Sequence, residues 1–156
     1  MSNKEQTQKQ EIAWEDYNKF KKDYRLSLKN NKTFSEIVNE IMDCKVLTIE
    51  ALQEKSKIDR RTICRLKSGK IKTQKRVMEY MPNMKTIIAF CVACNLDMLN
   101  TITLLESLGL SFKKTSMVDY AYCYLIANYS GKSIAECNAV LKNLGIDSND
   151  FLRDVD

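Results

Sequence analysis

The 156-residue sequence contains no histidine, one proline and four glycines. Without histidine, the side chain that most often serves as a general acid, a general base or a metal ligand is absent. The sequence also has no glycine-rich phosphate loop, and no nucleophile stands beside a base in a recognisable context. We therefore expect a protein that is not an enzyme and that needs no cofactor.

The scarcity of glycine and proline, together with abundant Lys, Glu, Leu and Ile, predicts helices joined by short connections. Few segments alternate between apolar and polar residues as strands do. The hydrophobic share of 44% is ordinary for a globular protein and excludes a wholly disordered chain. The predicted fold class is all-α.

No long apolar run is present. The longest, residues 87–94, is far shorter than the roughly 20 residues that a membrane-spanning helix needs. The segment MSNKEQTQKQ at the start of the sequence lacks the apolar core of a signal peptide, and the six cysteines are scattered rather than spaced as a disulfide framework. These features predict a cytoplasmic protein.

The pair Cys91-x-x-Cys94 raises the possibility of zinc or redox chemistry. It lies inside the helical run IIAFCVACNL, and the sequence has neither a second such pair nor a histidine. Two buried, small apolar residues are the better interpretation. We predict no metal site.

The net charge of +5 is unevenly distributed. Residues 57–76 contain nine Lys or Arg residues and a single acidic residue, Asp59. Such a cluster gives salt-sensitive affinity for nucleic acid, because each phosphate that it neutralises releases counterions. The alternative is a solvated basic face without a partner.

The segment LTIEALQEKSKIDRRTICRLKSGK, residues 47–70, predicts two short helices across a three- or four-residue turn. Thr48 and Asp59 are suited to cap the two helices, and Gly69 is suited to end the second. Ile63 and Leu66 give the second helix an apolar face. Its other face carries Arg60, Arg61, Cys64, Arg65 and Lys67. Two such helices, the second densely basic, are typical of a helix-turn-helix.

This segment resembles the helix-turn-helix of the lambda repressor and Cro (Xre-type) family, and the resemblance extends over residues 34–112. The matching positions are Leu47, Thr48, Lys55, Ser56, Ile58, Asp59, Thr62, Ile63, Arg65, Leu66 and Gly69. The resemblance implies a compact five-helix DNA-binding domain. It also implies that helix 59–67 lies in the major groove of double-stranded DNA.

Three positions depart from the family pattern. Ile49 stands where the family often has a glutamine that touches phosphate, and Gln53 stands where a small residue is usual at the helix crossing. Lys57 replaces the usual turn glycine, so we expect a non-glycine residue at positive φ there.

The roles of individual side chains follow from the resemblance and from the basic cluster. The side chains expected to face the base edges are Asp59, Arg60, Arg61, Cys64 and Arg65. Those expected to hold phosphates are Thr48, Lys57, Lys67, Lys70, Lys72, Lys75 and Arg76. The last four lie in the connection KIKTQKRVMEYM, for which we predict no regular structure.

Three domains are predicted: an N-terminal helical extension (1–32), a helix-turn-helix domain (33–112) and a C-terminal helical hairpin with an acidic tail (113–156). In the extension, apolar residues spaced by three and four predict an amphipathic helix over Glu11–Leu28; they are Ile12, Trp14, Tyr17, Phe20 and Tyr24.

In the central domain a capping box at Thr33 should begin the first helix. In the last helix of the central domain, one face should carry Leu99, Ile102, Leu105 and Leu108. The tail after Asp147 is expected to be mobile.

The segment YAYCYLIANYSGKSIAECNAVLKNLGI resembles a helical hairpin that follows Xre-type domains in small bacterial regulators. Its tyrosines have no interleaved basic residues, which favours an aromatic core or interface over base stacking. A second copy of the chain is the natural partner, because helix-turn-helix proteins commonly read two half-sites.

The sequence thus predicts a sequence-specific double-stranded DNA-binding regulator, most simply a bacterial or phage-type transcriptional repressor that acts as a homodimer. The alternative is an antitoxin-like or adaptor protein that uses the same fold to bind another protein through the C-terminal hairpin or the N-terminal helix.

Overall fold

A computed structural model describes the backbone of residues 3–152 and the side chains of residues 13–152. This part of the chain divides into two compact units, one ending at Lys32 and the other beginning at Thr33. The elements in chain order are α1 (Asn3–Asn30), α2 (Phe34–Cys44), α3 (Ile49–Ser56), α4 (Arg60–Ser68), β1 (Lys70–Lys72), β2 (Val77–Glu79), α5 (Met84–Ala93), α6 (Met98–Ser107), α7 (Met117–Tyr129), α8 (Ile134–Asn143) and a short 3-10 turn (Ser148–Asp150). The described chain is mostly helical, which confirms the predicted class at that level.

The first unit contains the single helix α1, which is longer than the predicted Glu11–Leu28. Trp14 and Tyr17 are stacked with ring centroids 5.9 Å apart, and Phe20 and Tyr24 are stacked at 6.2 Å. All four rings are more than half exposed. The side chain of Ile12, the fifth predicted anchor, lies outside the described residues.

Two helices, α2 and α3, begin where the sequence predicts. The hydroxyl of Thr33 accepts a hydrogen bond from the amide of Glu36, and the hydroxyl of Thr48 accepts one from the amide of Ala51. Each bond satisfies an amide that the first helical turn leaves without a partner. α2 then buries Phe34, Val38 and Met42 in the core of the second unit.

The expectation of an irregular connection over residues 70–81 is wrong. β1 and β2 pair as an antiparallel hairpin, with Lys70 opposite Glu79 and Lys72 opposite Val77. The hairpin is the single exception to the helical class among the described residues. Its base is closed by the hydrogen bond from the amide of Tyr80 to the carbonyl of Gly69.

α5 is the centre of the core. Every residue from Thr86 to Ala93 is buried, as expected for a helix that is apolar all round. It packs against α3, α6, α7 and α8. The C-terminal hairpin α7–α8 therefore belongs to the same compact unit as the helices before it.

For α6, the last helix of the predicted central domain, the predicted apolar face is wrong in its first half. α6 buries Thr101, Leu104 and Leu105, whereas Leu99 is 72% exposed and Ile102 is also exposed. The spacing of three used in the prediction drifts around the helix, because an α-helix has 3.6 residues per turn.

The expectation of a mobile tail is wrong for the described part of it. Leu152 is completely buried, and its carbonyl accepts a hydrogen bond of 2.6 Å from the side chain of Asn138. The hydroxyl of Tyr122 donates to the carbonyl of Asp150, also at 2.6 Å. Residues 148–152 are thereby held against α7 and α8.

No helix within the described residues is both long enough and apolar enough to cross a membrane.

The turn after α2 holds a valine in an unfavourable conformation. Val46 has φ of 53°, and the amide of Leu47 bonds to the carbonyl of Met42. This is the position of a helix terminus that glycine normally occupies, and β-branched residues are disfavoured there.

We expect Val46→Gly to raise the free energy of unfolding by about 1 kcal/mol, because it removes the clash of Cβ in the left-handed region. The valine side chain is 87% exposed, so the substitution removes little packing. Denaturant unfolding measures the change. Val46→Ala, which keeps Cβ, is the control and should gain much less; a destabilised glycine variant would contradict this explanation.

Candidate nucleic-acid interface

The turn between α3 and α4 fixes the orientation of the second helix. Lys57 has φ of 58°, which confirms the expected left-handed residue at this position. Next to it, the buried hydroxyl of Ser56 donates to the carbonyl of Leu52 and accepts from the amide of Ile58, at 2.6 and 3.1 Å. Ile58 is itself completely buried. These contacts anchor the turn from both sides.

α4 has two chemically distinct faces. Thr62, Ile63 and Leu66 are buried against the core. The helix is also tied to α2, because the side-chain amide of Asn39 donates to the carbonyl of Lys67 at 2.8 Å. Arg61, on the other side of the helix, is exposed. The sequence predicted this separation of faces correctly.

The outward face of α4 and strand β1 together line one open groove of about 520 Å³. Its lining residues are Arg61, Cys64, Arg65, Ser68, Lys70 and Lys72. Four of these six side chains carry a positive charge and none carries a negative charge. We call this surface the basic groove. Its charge favours an extended polyanion over a neutral ligand.

The strand register explains why two lysines of the hairpin face α4. Successive side chains of a strand point to opposite faces, so Lys70 and Lys72 share one face of the hairpin. Ile71 and Met78, opposite each other in the register, share the other face and are half-buried. Burial of this second face directs the two lysines into the basic groove.

A short turn connects the two strands and is held by one side chain. The hydroxyl of Thr73 accepts from the amide of Arg76 at 3.2 Å and lies 3.0 Å from the Arg76 carbonyl, to which it donates. The amide of Thr73 donates to the same carbonyl at 2.9 Å. Lys75 and Arg76 are exposed at this turn.

Two of the predicted base-reading residues have other contacts. Arg60 forms an ion pair with Glu50 of α3, with Nη1 2.7 Å from Oε1. This hydrogen bond lowers the pKa of the Glu50 carboxyl and raises that of Arg60. The carboxylate of Asp59 accepts from both the amide and the hydroxyl of Thr62, at 3.1 and 2.6 Å. Neither residue lines the basic groove, whereas the predicted residues Arg61, Cys64 and Arg65 do.

The remaining predicted phosphate contacts lie at the margins of α3 and α4. Thr48 caps α3, Lys57 ends it, and Lys67 is half-buried beside α2. Sequence reasoning did not single out Ser68, which lines the basic groove and whose hydroxyl accepts from the amide of Lys70. The Ser68-Gly69 pair at the end of α4 indicated the end of a helix, but it gave no sign that Ser68 would line a groove.

The departures from the family pattern have mild structural consequences. Gln53 is exposed, so it does not crowd the contact between α3 and α4. Ile49 is half-buried and packs against the core.

Cys91 and Cys94 are buried, as the sequence predicted. Burial raises the pKa of each thiol to about 12, so both stay protonated near neutral pH. Among the side chains that the structure describes, no group of three or more His, Cys, Asp or Glu residues is placed to hold a metal ion.

Comparison with known proteins returned no matching family model, no matching curated protein and no matching solved structure.

Proposed function

We propose that this protein is a sequence-specific double-stranded DNA-binding regulator of transcription, built on a helix-turn-helix of the lambda-repressor type. The observation that carries the proposal is the basic groove. It places Arg61 and Arg65 of α4 beside Lys70 and Lys72 of β1, with no carboxylate among them. A helix whose outward face is basic and whose inward face is locked into a core is suited to the major groove.

Arg61, Cys64 and Arg65 are the side chains that we assign to base edges. An arginine can donate two hydrogen bonds to the O6 and N7 atoms of guanine, the commonest specific contact in the major groove. The ion pair with Glu50 holds Arg60 against α3, and the helix cap engages Asp59. These contacts favour a smaller base-reading set than the sequence predicted, with Arg60 and Asp59 positioning the helix.

The phosphate-binding set flanks the helix. Lys70 and Lys72 in the basic groove are its central members. The others are Thr48, Lys57 and Lys67. Lys75 and Arg76, which the sequence also assigns to phosphates, lie beyond them at the exposed turn of the hairpin. Contacts to phosphates set the register of a protein on DNA without reading its sequence.

Replacing both groove lysines, as Lys70→Ala/Lys72→Ala, should weaken binding to all DNA sequences alike. The slope of log K against log salt should fall by about 2 per bound protomer, since each phosphate contact contributes about 0.9. Fluorescence anisotropy over a salt series measures the slope.

The charge-matched control for this variant is Lys132→Ala/Lys142→Ala, two exposed lysines of the C-terminal hairpin. It should leave the slope close to that of the wild type. An equal fall in the two double variants would mean that only total charge matters, and would contradict a defined phosphate-binding surface.

A homodimer is part of the proposal. α7 carries a single charged residue, Asp119, among 13. It buries one apolar face, yet its opposite face exposes Met117, Tyr120 and Tyr124, at 64%, 75% and 42%. A helix that is apolar on both sides normally has a partner on both. A second copy of the chain supplies such a partner, and two copies would present two α4 helices to two half-sites.

Bound over a promoter, such a dimer would act most simply as a bacterial or phage-type repressor. The second candidate is an antitoxin-like or adaptor protein, and the same tyrosine face, with the exposed aromatic rings of α1, favours it. The two candidates differ in their dependence on salt: DNA affinity that is absent or indifferent to salt would favour the adaptor.

A further inference from the structure

The positively charged side chains of this surface run from α4 along strand β1 to the turn of the β-hairpin. Arg61 and Arg65 lie on the helix itself, and Lys72 lies on β1 in the same groove. Lys75 and Arg76 follow at the turn, the far end of the hairpin. Glu79, the one acidic residue of the hairpin, pairs with Lys70 at its base.

The hairpin has the length needed to reach a neighbouring groove of DNA. From Lys70 to the turn it extends about 15 Å at the usual rise of a strand. The minor groove lies roughly half of a helical turn, about 17 Å, from the major groove that α4 would occupy. One strand of phosphates runs between the two grooves. A hairpin of this length would allow Lys72 to contact that intervening strand while the long side chains at the turn reach beyond it.

The turn is preorganised for such a contact. Three hydrogen bonds between Thr73 and Arg76 close it. At the base of the hairpin, Tyr80 packs against the core and its amide donates to the carbonyl of Gly69. A rigid element loses less conformational entropy on binding than a loop does. An exposed, cationic and rigid turn is suited to the narrow minor groove, where the potential is most negative.

We propose that the hairpin β1–β2 is a DNA-binding wing that inserts Lys75 and Arg76 into the minor groove beside the α4 site, and so favours flanking DNA with a narrow, A·T-like minor groove. This inference rests on the proposed function, since it requires α4 to dock on DNA. It adds a second element of specificity, one that reads groove width and the absence of the guanine amino group rather than major-groove hydrogen bonds.

Two duplexes that differ only in their guanines test the wing. One contains G·C pairs, and in the other every guanine is replaced by inosine. Inosine presents the same major-groove atoms as guanine but lacks the amino group in the minor groove, so a difference in affinity reports minor-groove contact. The full-length wild type should bind the inosine duplex about fivefold more tightly or better. Lys75→Ala/Arg76→Ala should bind both duplexes equally.

Lys132→Ala/Lys142→Ala is the charge-matched control and should keep the wild-type preference for inosine. A wild type that binds both duplexes equally well would overturn the wing and leave the proposed function standing. So would a Lys75→Ala/Arg76→Ala variant that keeps the preference. Failure of the wild type to bind either duplex at low salt would overturn both proposals together.

Discussion

The double variant Arg61→Ala/Arg65→Ala is expected to abolish discrimination between a preferred operator and random DNA. Each arginine that makes a bidentate contact with guanine contributes about 1–3 kcal/mol. Loss of two such contacts should therefore reduce the ratio of specific to random affinity by roughly 30-fold or more. Competition anisotropy with the preferred and random duplexes measures that ratio.

The conservative variant Arg61→Lys/Arg65→Lys separates charge from readout. Lysine keeps the positive charge but cannot form the planar, two-pronged contact with guanine. This variant should lose specificity while its salt slope stays near the wild-type value. Neither change touches the buried face of α4, Thr62, Ile63 and Leu66, so thermal unfolding should be little altered. Retention of full specificity by the lysine variant would contradict base reading by these arginines.

Tyr120→Glu is expected to separate the dimer and to weaken operator binding sharply. The tyrosine is 75% exposed at the middle of the apolar face of α7, so a carboxylate there would be buried without a partner at a symmetric interface. Two linked helices gain about 100-fold or more in affinity from binding two half-sites together. We expect that gain to disappear, while affinity for a duplex with one half-site stays the same. Analytical ultracentrifugation and anisotropy give the two readouts.

Ala139→Glu adds the same charge on the exposed side of α8 and serves as the control for Tyr120→Glu. It should remain dimeric. If both variants keep the wild-type mass in solution, the tyrosine face is not the dimer interface. A wild-type chain that is monomeric at the concentrations used would contradict the homodimer itself.

The local features of α3 and α4 could be predicted because each depends on a few neighbouring residues. The caps at Thr48 and Asp59 and the left-handed residues at Lys57 and Gly69 all occur at their predicted positions. A side-chain oxygen before a helix and a turn between two helices have the same geometry whatever packs around them.

The hairpin could not be predicted because its sequence signal is weak. Each strand has only three residues, and the turn contains none of the glycine or asparagine residues that mark tight hairpins. The hydroxyl of Thr73 provides the closure instead. Tyr80, directly after β2, packs against the core, and such tertiary contacts do not show in a local pattern.

The placement of the candidate site residues differs in detail from the sequence prediction for a similar reason. Arg60 and Arg61 are equivalent in sequence, and only the crossing of α3 over α4 brings Glu50 within 2.7 Å of the first of them. Leu99 likewise satisfied the predicted spacing, but α7 and α5 cover a different side of α6. Contacts between elements decide which residues of a face are free.

One measurement tests the central claim most directly: binding of the full-length protein to duplex DNA across a salt series, together with selection of a preferred sequence from a random pool. DNA reading by α4 predicts a steep fall of affinity with salt and an enriched motif with two symmetric half-sites. No binding at low salt would contradict DNA binding and favour the protein-binding adaptor. Salt-dependent binding without an enriched motif would contradict sequence reading and leave a non-specific basic surface.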